Sequence, residues 1–352
     1  IHRFFPLNLF SFLFIGKHST FSRLIWHVMD MFNVHTYGIV KKWLKREKPD
    51  FILTHNLKGI GYTVPAAIRS YQRLLTTHYS LPTPTWFHTL HDMGALHPTG
   101  LRLLKSKPSR NPLVSWYARL NRRLFGSPDI LVSPSRFLLD EYLRAGFFSR
   151  SRREVVRNPV EGKMVSADRP SHPRFLYVGQ LEPYKGITVM LEAWRSFHKH
   201  HADAELVIAG DGSDRDIVED AVKKDGAVRF LGRVAHEKIS SLAAAAHFTL
   251  LPSLAYENAP TCIAESMMQG TPVIAGRLGG IPEMVLEGEN GFLFEPGNAD
   301  DLARAMERAL ASDRQTLHER VSAFAERFRP AEYAKRMELL VAEMYDKKQT
   351  PV

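Results

Sequence analysis

Short apolar, β-branched runs alternate with helix-patterned stretches along most of the chain, and they do so in two separate series. Strands that alternate with helices argue for parallel sheets joined by crossovers rather than for hairpins. In the first series "DFILTH" (50–55), "TWFHTLHD" (85–92), "DILVS" (129–133) and "REVVRNPV" (153–160) read as strands. Helices are expected over about 60–71 and 112–125, and from Ser135 as N-cap to Ala145, ahead of Gly146. The greasy start "RFFPLNLFSFLFIG" holds Pro6 and Asn8 and reads as strand and loop. The stretch 161–173, with little periodicity and two prolines, reads as a linker.

The second series runs "RFLYVGQ" (174–180), "AELVIAGDG" (204–212), "VRFLG" (228–232), "HFTLLPS" (247–253), "TPVIAG" (271–276) and "GFLFEP" (291–296), with helices between and long helices to the end. The fold class expected is α/β, with two doubly wound domains facing across a cleft. Their bounds are set at 1–165 and 166–330, with a terminal helix over 331–352. A length of 352 residues suits two domains.

Charge is unevenly placed. Residues 1–160 hold 24 Lys+Arg against 8 Asp+Glu, and residues 161–352 hold 23 against 29, so a basic half precedes an acidic one. That imbalance speaks of partners, such as an anionic membrane surface or anionic acceptor, and not of fold. The basic stretches "KKWLKREK" (41–48) and "RLLKSKPSR" (102–110) hold between them one aromatic, Trp43, and form no recognised aromatic-interleaved basic motif, which argues against a nucleic-acid partner. A single cysteine, Cys262, excludes a disulfide framework and a cysteine-based zinc site, and suits a reducing cytoplasm. No apolar run reaches the roughly 18 residues that a membrane helix needs.

Several strand-end loops suit an anion. "YVGQLEPYKG" places Gly179 and Gly186 around a loop with Lys185 at a helix start, and "AGDGS", with Gly210, is a strand-to-helix turn. Neither GxGxxG nor a P-loop lysine motif is present. The sharper feature is "YENAPTCIAES". Glu257 precedes a helix that Pro260 would open, and Glu265 lies eight residues on, inside that helix beside Cys262, Ala264, Met267 and Met268. A carboxylate in so apolar a segment is costly unless it accepts hydrogen bonds, as from a vicinal diol. One loop glutamate plus one structural buried glutamate is the plain alternative.

"FLYVGQLEPYKG", "LVIAGDGS", "VRFLGR", "LLPSLAYENAPTCIAESMMQGTPVIAGRLGGIPEMV" and "GFLFEPGNADDLARAM", in that order, resemble the family 4 retaining glycosyltransferases of the GT-B fold; "PDFILTHN", "HTLHDMGALHPTG" and "VVRNPV" agree more loosely. The resemblance implies a nucleotide-diphosphate sugar donor of UDP or GDP type, no cofactor and no metal. It implies a saccharide or lipid-linked acceptor in cell-surface polysaccharide or glycoconjugate synthesis; the single cysteine and the basic first half add the expectation of a cytoplasmic enzyme able to sit peripherally on the membrane's cytoplasmic face. Glu257, His91 and Lys185 would be catalytic. Glu257 would contact sugar hydroxyls, Glu265 the ribose, and Asn258, Ala259, Pro260 and Thr261 the diphosphate and sugar. Gly232 and Arg233 would edge the base. Asp92, His55 and Asn56 are acceptor-side candidates. Where the family usually has an arginine on the diphosphate, this chain has Gln180. The family's first strand and glycine-rich loop have no counterpart before "DFILTHN", so the chain is expected to begin inside the first domain, ~70–90 residues late on usual domain size. A nucleotide-sugar 2-epimerase and a non-catalytic nucleotide-binding remnant are the rival readings.

Overall fold

A computed structural model describes residues 3–104 and 112–349. The basic stretch "RLLKSKPSR" lies outside the described residues from 105 onward. The chain forms two compact units, Ile1–Leu101 with Ser106–Val156 and Arg102–Lys105 with Arg157–Val352.

The first unit holds four parallel strands in the order β1-β2-β3-β4: β1 (Phe51–His55), β2 (Thr85–Thr89), β3 (Ile130–Ser133) and β4 (Arg152–Val155). Strands β2 and β3 are wholly buried, as expected of parallel strands covered on both faces. Trp86, Phe87, Phe125, Leu138 and Phe148 fill the core between sheet and helices. The greasy start contains no strand: it is irregular chain and one short turn, Phe12–Lys17. No described strand pairs with it, and Pro6 offers no N–H for a ladder. Two helices that the periodicity reading left unassigned follow, Thr20–Met31 and Val34–Glu47. Their caps are plain in the sequence. The Ser19 hydroxyl accepts from Ser22 N–H, and the Asn33 side chain accepts from Thr36 N–H.

The second unit holds six parallel strands in the order β10-β9-β8-β5-β6-β7. They are β5 (Arg174–Val178), β6 (Glu205–Ala209), β7 (Val228–Phe230), β8 (Phe248–Leu251), β9 (Val273–Gly276) and β10 (Gly291–Phe294). Phe175, Tyr177, Trp194, Phe197, Phe248 and Met267 anchor its core. By contacts the unit takes up the chain at Arg157, ahead of the linker, because Val160 enters the core and its N–H donates to Phe328 O at 2.8 Å. Arg102–Leu104 also belong to it. Leu103 bridges antiparallel to Ala255, Leu104 N–H donates to Leu254 O at 2.8 Å, and Tyr256 N–H donates to Arg102 O at 2.8 Å. No local pattern over 102–104 announces this small strap, whose partners lie about 150 residues further on. Among the described residues no helix is long and apolar enough to cross a membrane.

Candidate functional site

Strand order in the second sheet runs outward from β5 through β6 to β7 on one side, and from β8 through β9 to β10 on the other. The carboxyl ends of β5 and β8 therefore flank the topological switch point, where open α/β sheets place their ligands. The loop after β5 carries Gly179, Gln180, Lys185 and Gly186; the loop after β8 carries Glu257–Pro260.

These two loops are locked together. Lys185 Nζ donates to Glu257 Oε1 at 2.7 Å, and Ser253 Oγ donates to the same oxygen at 2.9 Å. Burial works against the charge on Lys185, but the adjoining Glu257 carboxylate outweighs it and holds the ammonium above its ordinary pKa. Gly186 sits at φ +77°, and a Cβ there would lie 2.0 Å from Pro252 O. Gly186→Ala is therefore expected to cost ~2 kcal/mol or more, seen as a lower urea midpoint; a midpoint equal to that of the unaltered protein would show that the loop yields. From the other side Gly279, at φ +64°, lets its chain approach so closely that a Cβ would stand 2.3 Å from Glu257 O, and Gly280 N–H donates to that carbonyl at 2.8 Å. Behind it Arg157 Nη2 donates to Glu283 O at 2.7 Å.

The helix that follows is short, Thr261–Met267, with Pro260 at its N-cap. Its Ser266 hydroxyl lies 2.7 Å from Thr249 Oγ1 and donates to Thr271 O at 3.1 Å, which pins the helix to β8. Ile263, Ala264 and Met267 are buried, and Glu265 is half-buried on the opposite flank. Burial raises the Glu265 pKa, with His236 opposing. Among the described residues no hydrogen-bond donor sits on its carboxylate. The Cys262 thiol is pushed up to about 12, by burial first, then by Glu257, with Glu265 adding and Lys185 opposing. One thiol thus feels both glutamates.

Not every loop glycine is disposed as an amide donor. Gly179 N–H donates to Ala209 O at 3.1 Å and Gly210 N–H to Gly232 O at 2.8 Å, so both amides are spent inside the unit. In "AGDGS" a carboxylate already occupies the turn: Glu182 accepts from Ser213 N–H at 3.3 Å and from its hydroxyl at 2.9 Å. Both glycine amides, and the "AGDGS" turn, thus already have partners within the protein. Arg233 is exposed just past β7. Ser253, Tyr184, His236 and Arg157 border these loops and were not singled out as residues, although Ser253 lies in "LLPSLAYEN", Tyr184 in "YVGQLEPYKG" and Arg157 in "VVRNPV".

In the first unit the parallel register of β1 and β2 sets His55 opposite Thr89. The loops just beyond bring four expected residues together: His55 Nδ1 lies 3.2 Å from His91 Nε2, and Asn56 Nδ2 donates to Asp92 Oδ2 at 3.3 Å. Asp92 Oδ1 accepts from Gly94 N–H at 2.6 Å, fixing the turn. Burial, then His55, lowers the His91 pKa, Asp92 opposing. His88 is a core residue, 2.9 Å from Thr54 Oγ1, with its pKa pushed down to about 3 by burial and the two other histidines. Among the described residues no cluster of three or more His, Cys, Asp or Glu has a metal-binding arrangement.

Two parallel sheets, the larger wound outward from a switch point that carries an ion pair, define a two-domain α/β protein with Rossmann-like units. Its sequence matches the model "Glycosyltransferase Family 4" over residues 21–162 and "Glycosyl transferases group 1" over residues 164–328. The chain belongs to the group 1, family 4 glycosyltransferases of the GT-B fold. It is 30% identical to an α-D-kanosaminyltransferase of Streptomyces kanamyceticus over 196 residues, 55% of this chain and 49% of that protein. It is likewise 30% identical to glycogen synthase of Mycobacterium tuberculosis over 189 residues, 52% of this chain and 45% of that one. The matched stretch thus spans less than half the length of either relative. Among solved structures, HepE of Anabaena in complex with UDP superimposes with a TM-score of 0.66 at 20% identity, over 87% of this chain and 82% of that one.

Proposed function

We propose that the chain moves a sugar from a nucleotide-diphosphate donor to a hydroxyl of a saccharide or lipid-linked acceptor, with retention at the anomeric carbon. The observation that carries this reading is the Lys185–Glu257 pair at the β5/β8 switch point, with an unsatisfied, half-buried Glu265 one short helix further on. The UDP complex of the Anabaena relative supports a nucleotide-sugar donor.

In the proposed reaction the nucleoside lies against Glu265, whose carboxylate accepts from the ribose diol. The diphosphate lies at the turn Asn258–Thr261, where the N–H groups of Thr261 and Cys262 precede the first intrahelical bond, which Ile263 N–H makes to Pro260 O at 3.2 Å. Lys185 turns from Glu257 to the developing negative charge on the phosphate, and Glu257 is released to the sugar hydroxyls. The bond between the anomeric carbon and the β-phosphate oxygen breaks. The acceptor oxygen bonds to that carbon on the same face, and its proton passes to the departing phosphate, giving glycoside and nucleoside diphosphate. Preorganised charge at the leaving oxygen is the main stabilisation. His91, neutral because its pKa is depressed, supplies an uncharged imidazole to a sugar hydroxyl, with His55, Asn56 and Asp92 around it on the acceptor side.

The test is a thermal-shift screen of UDP-, GDP- and ADP-sugars against NAD, followed by turnover with the stabilising sugar and NMR assignment of the product anomer. Stabilisation by a nucleotide sugar and an anomer matching the donor are expected. Stabilisation by NAD alone, or an inverted product, would overturn the reading.

A further inference from the structure

A diphosphate site that lacks the usual arginine needs another donor aimed at the same place. Gln180 carries no charge, and a primary amide is two-faced: its oxygen repels a phosphate and its NH2 attracts one. The side chain is exposed, so burial does not choose between the faces. One contact does. Tyr184 Oη donates to Gln180 Oε1 at 2.8 Å. Tyr184 is itself held: its main-chain oxygen accepts Leu254 N–H at 2.8 Å, which ties it to the loop that bears Glu257. Its ring lies beside the reactive lysine, with Lys185 Nζ 5.6 Å from the ring centre. Burial keeps the phenol protonated, Lys185 opposing, so its hydroxyl remains a donor.

We propose that Tyr184 is a positioning residue for the donor diphosphate: by binding the oxygen of the Gln180 amide, it turns the NH2 outward as the hydrogen-bond donor that replaces a guanidinium. The assignment rests on the nucleotide-sugar reading above. It makes Gln180 and Tyr184 a single unit, four residues apart on the loop around the turn Pro183–Lys185.

The experiment is calorimetric titration of UDP, GDP and ADP and of the matching monophosphates, using the full chain and its variants. The unaltered protein selects the base and sets the ratio of diphosphate to monophosphate affinity. Tyr184→Phe keeps the ring beside Lys185 and removes only the hydroxyl. It is expected to weaken the diphosphate about fivefold, the worth of one neutral hydrogen bond, and to leave the monophosphate unchanged. Gln180→Ala should lose as much, and the two together no more, because they remove one unit. Gln180→Arg, which needs no turning, should restore diphosphate binding in the Tyr184→Phe background. A Tyr184→Phe protein that keeps the unaltered ratio overturns the assignment while leaving the donor reading intact. So does one that weakens both nucleotides equally, since the hydroxyl would then serve the fold alone. An unaltered protein that binds none of the three diphosphates overturns the donor reading and this assignment with it.

Discussion

Glu257→Gln is expected to lower kcat roughly 10²–10³-fold, as loss of one preorganised electrostatic group in a closed site typically does. The substitution keeps the volume and the Ser253 hydrogen bond, so the turn should survive. What it removes is the charge that balances Lys185. That lysine has only about a fifth of its side chain exposed, and it is charged there because the carboxylate is 2.7 Å away. With the carboxylate gone, burial is unopposed and the Lys185 pKa should fall. The sign follows directly. In the unaltered protein the folded pKa of Lys185 is raised, so its contribution to stability is present below the unfolded value and is lost as pH rises through the folded one. In Glu257→Gln that contribution disappears, and the alkaline decline of nucleotide-diphosphate affinity should move to lower pH. Stability should drop by ~1–2 kcal/mol, less than for a fully buried pair because both partners keep some contact with water. Steady-state kinetics and a pH series of diphosphate affinity read both effects. An unaltered kcat with an unmoved alkaline limb would leave Glu257 a structural partner of Lys185 and nothing more.

The ion pair also marks where sequence reading reached its limit. Glu257 and Lys185 could each be singled out from local pattern, one before a helix and one at the end of a glycine loop. Their meeting could not, since 72 residues separate them and only the neighbouring of β5 and β8 joins them. The same holds for His55 and His91, 36 residues apart and brought together by the register of β1 and β2. Strand periodicity located the ten described strands, most of them buried and read as continuous apolar runs, while β4 (Arg152–Val155) is polar and half-buried. Thr20–Met31 was not assigned although Phe21, Leu24, Ile25 and Val28 stand at helical i, i+3, i+4 and i+7 spacing; in the fold that apolar stripe is exposed. Periodicity also could not tell a phosphate turn from a turn filled by its own protein: Glu182 occupies "AGDGS" from a neighbouring loop, and no local spacing announces that. Tyr184 was passed over for a similar reason, as its role lies in one hydroxyl contact to a side chain whose own function is unusual.

Glu265→Gln should act in opposite directions on the empty and the liganded protein. On the half-buried helix flank the carboxylate has a pKa raised by burial, only partly offset by His236. A folded pKa above the unfolded one means that this group favours the fold at acid pH, below the unfolded value, and that the benefit is lost as pH rises through the folded value. At neutral pH the ionised carboxylate therefore weighs against folding, and glutamine relieves it: Tm of the nucleotide-free variant should rise, and its stability should lose a pH-dependent component on the mildly acidic side. With nucleotide present the order reverses. A ribose diol donates two hydrogen bonds to a carboxylate, which are stronger than those to a neutral amide oxygen. Their weakening should reduce affinity about 10–100-fold, with kcat affected less than KM. Scanning calorimetry of both proteins, with and without saturating nucleotide sugar, separates the two effects. A variant that melts lower when empty and binds nucleotide as tightly as the unaltered chain would make Glu265 a structural carboxylate. The coupling of a higher empty Tm to a lost ligand shift is the signature of a group kept ionisable in a poor place for a charge, for the sake of what it binds.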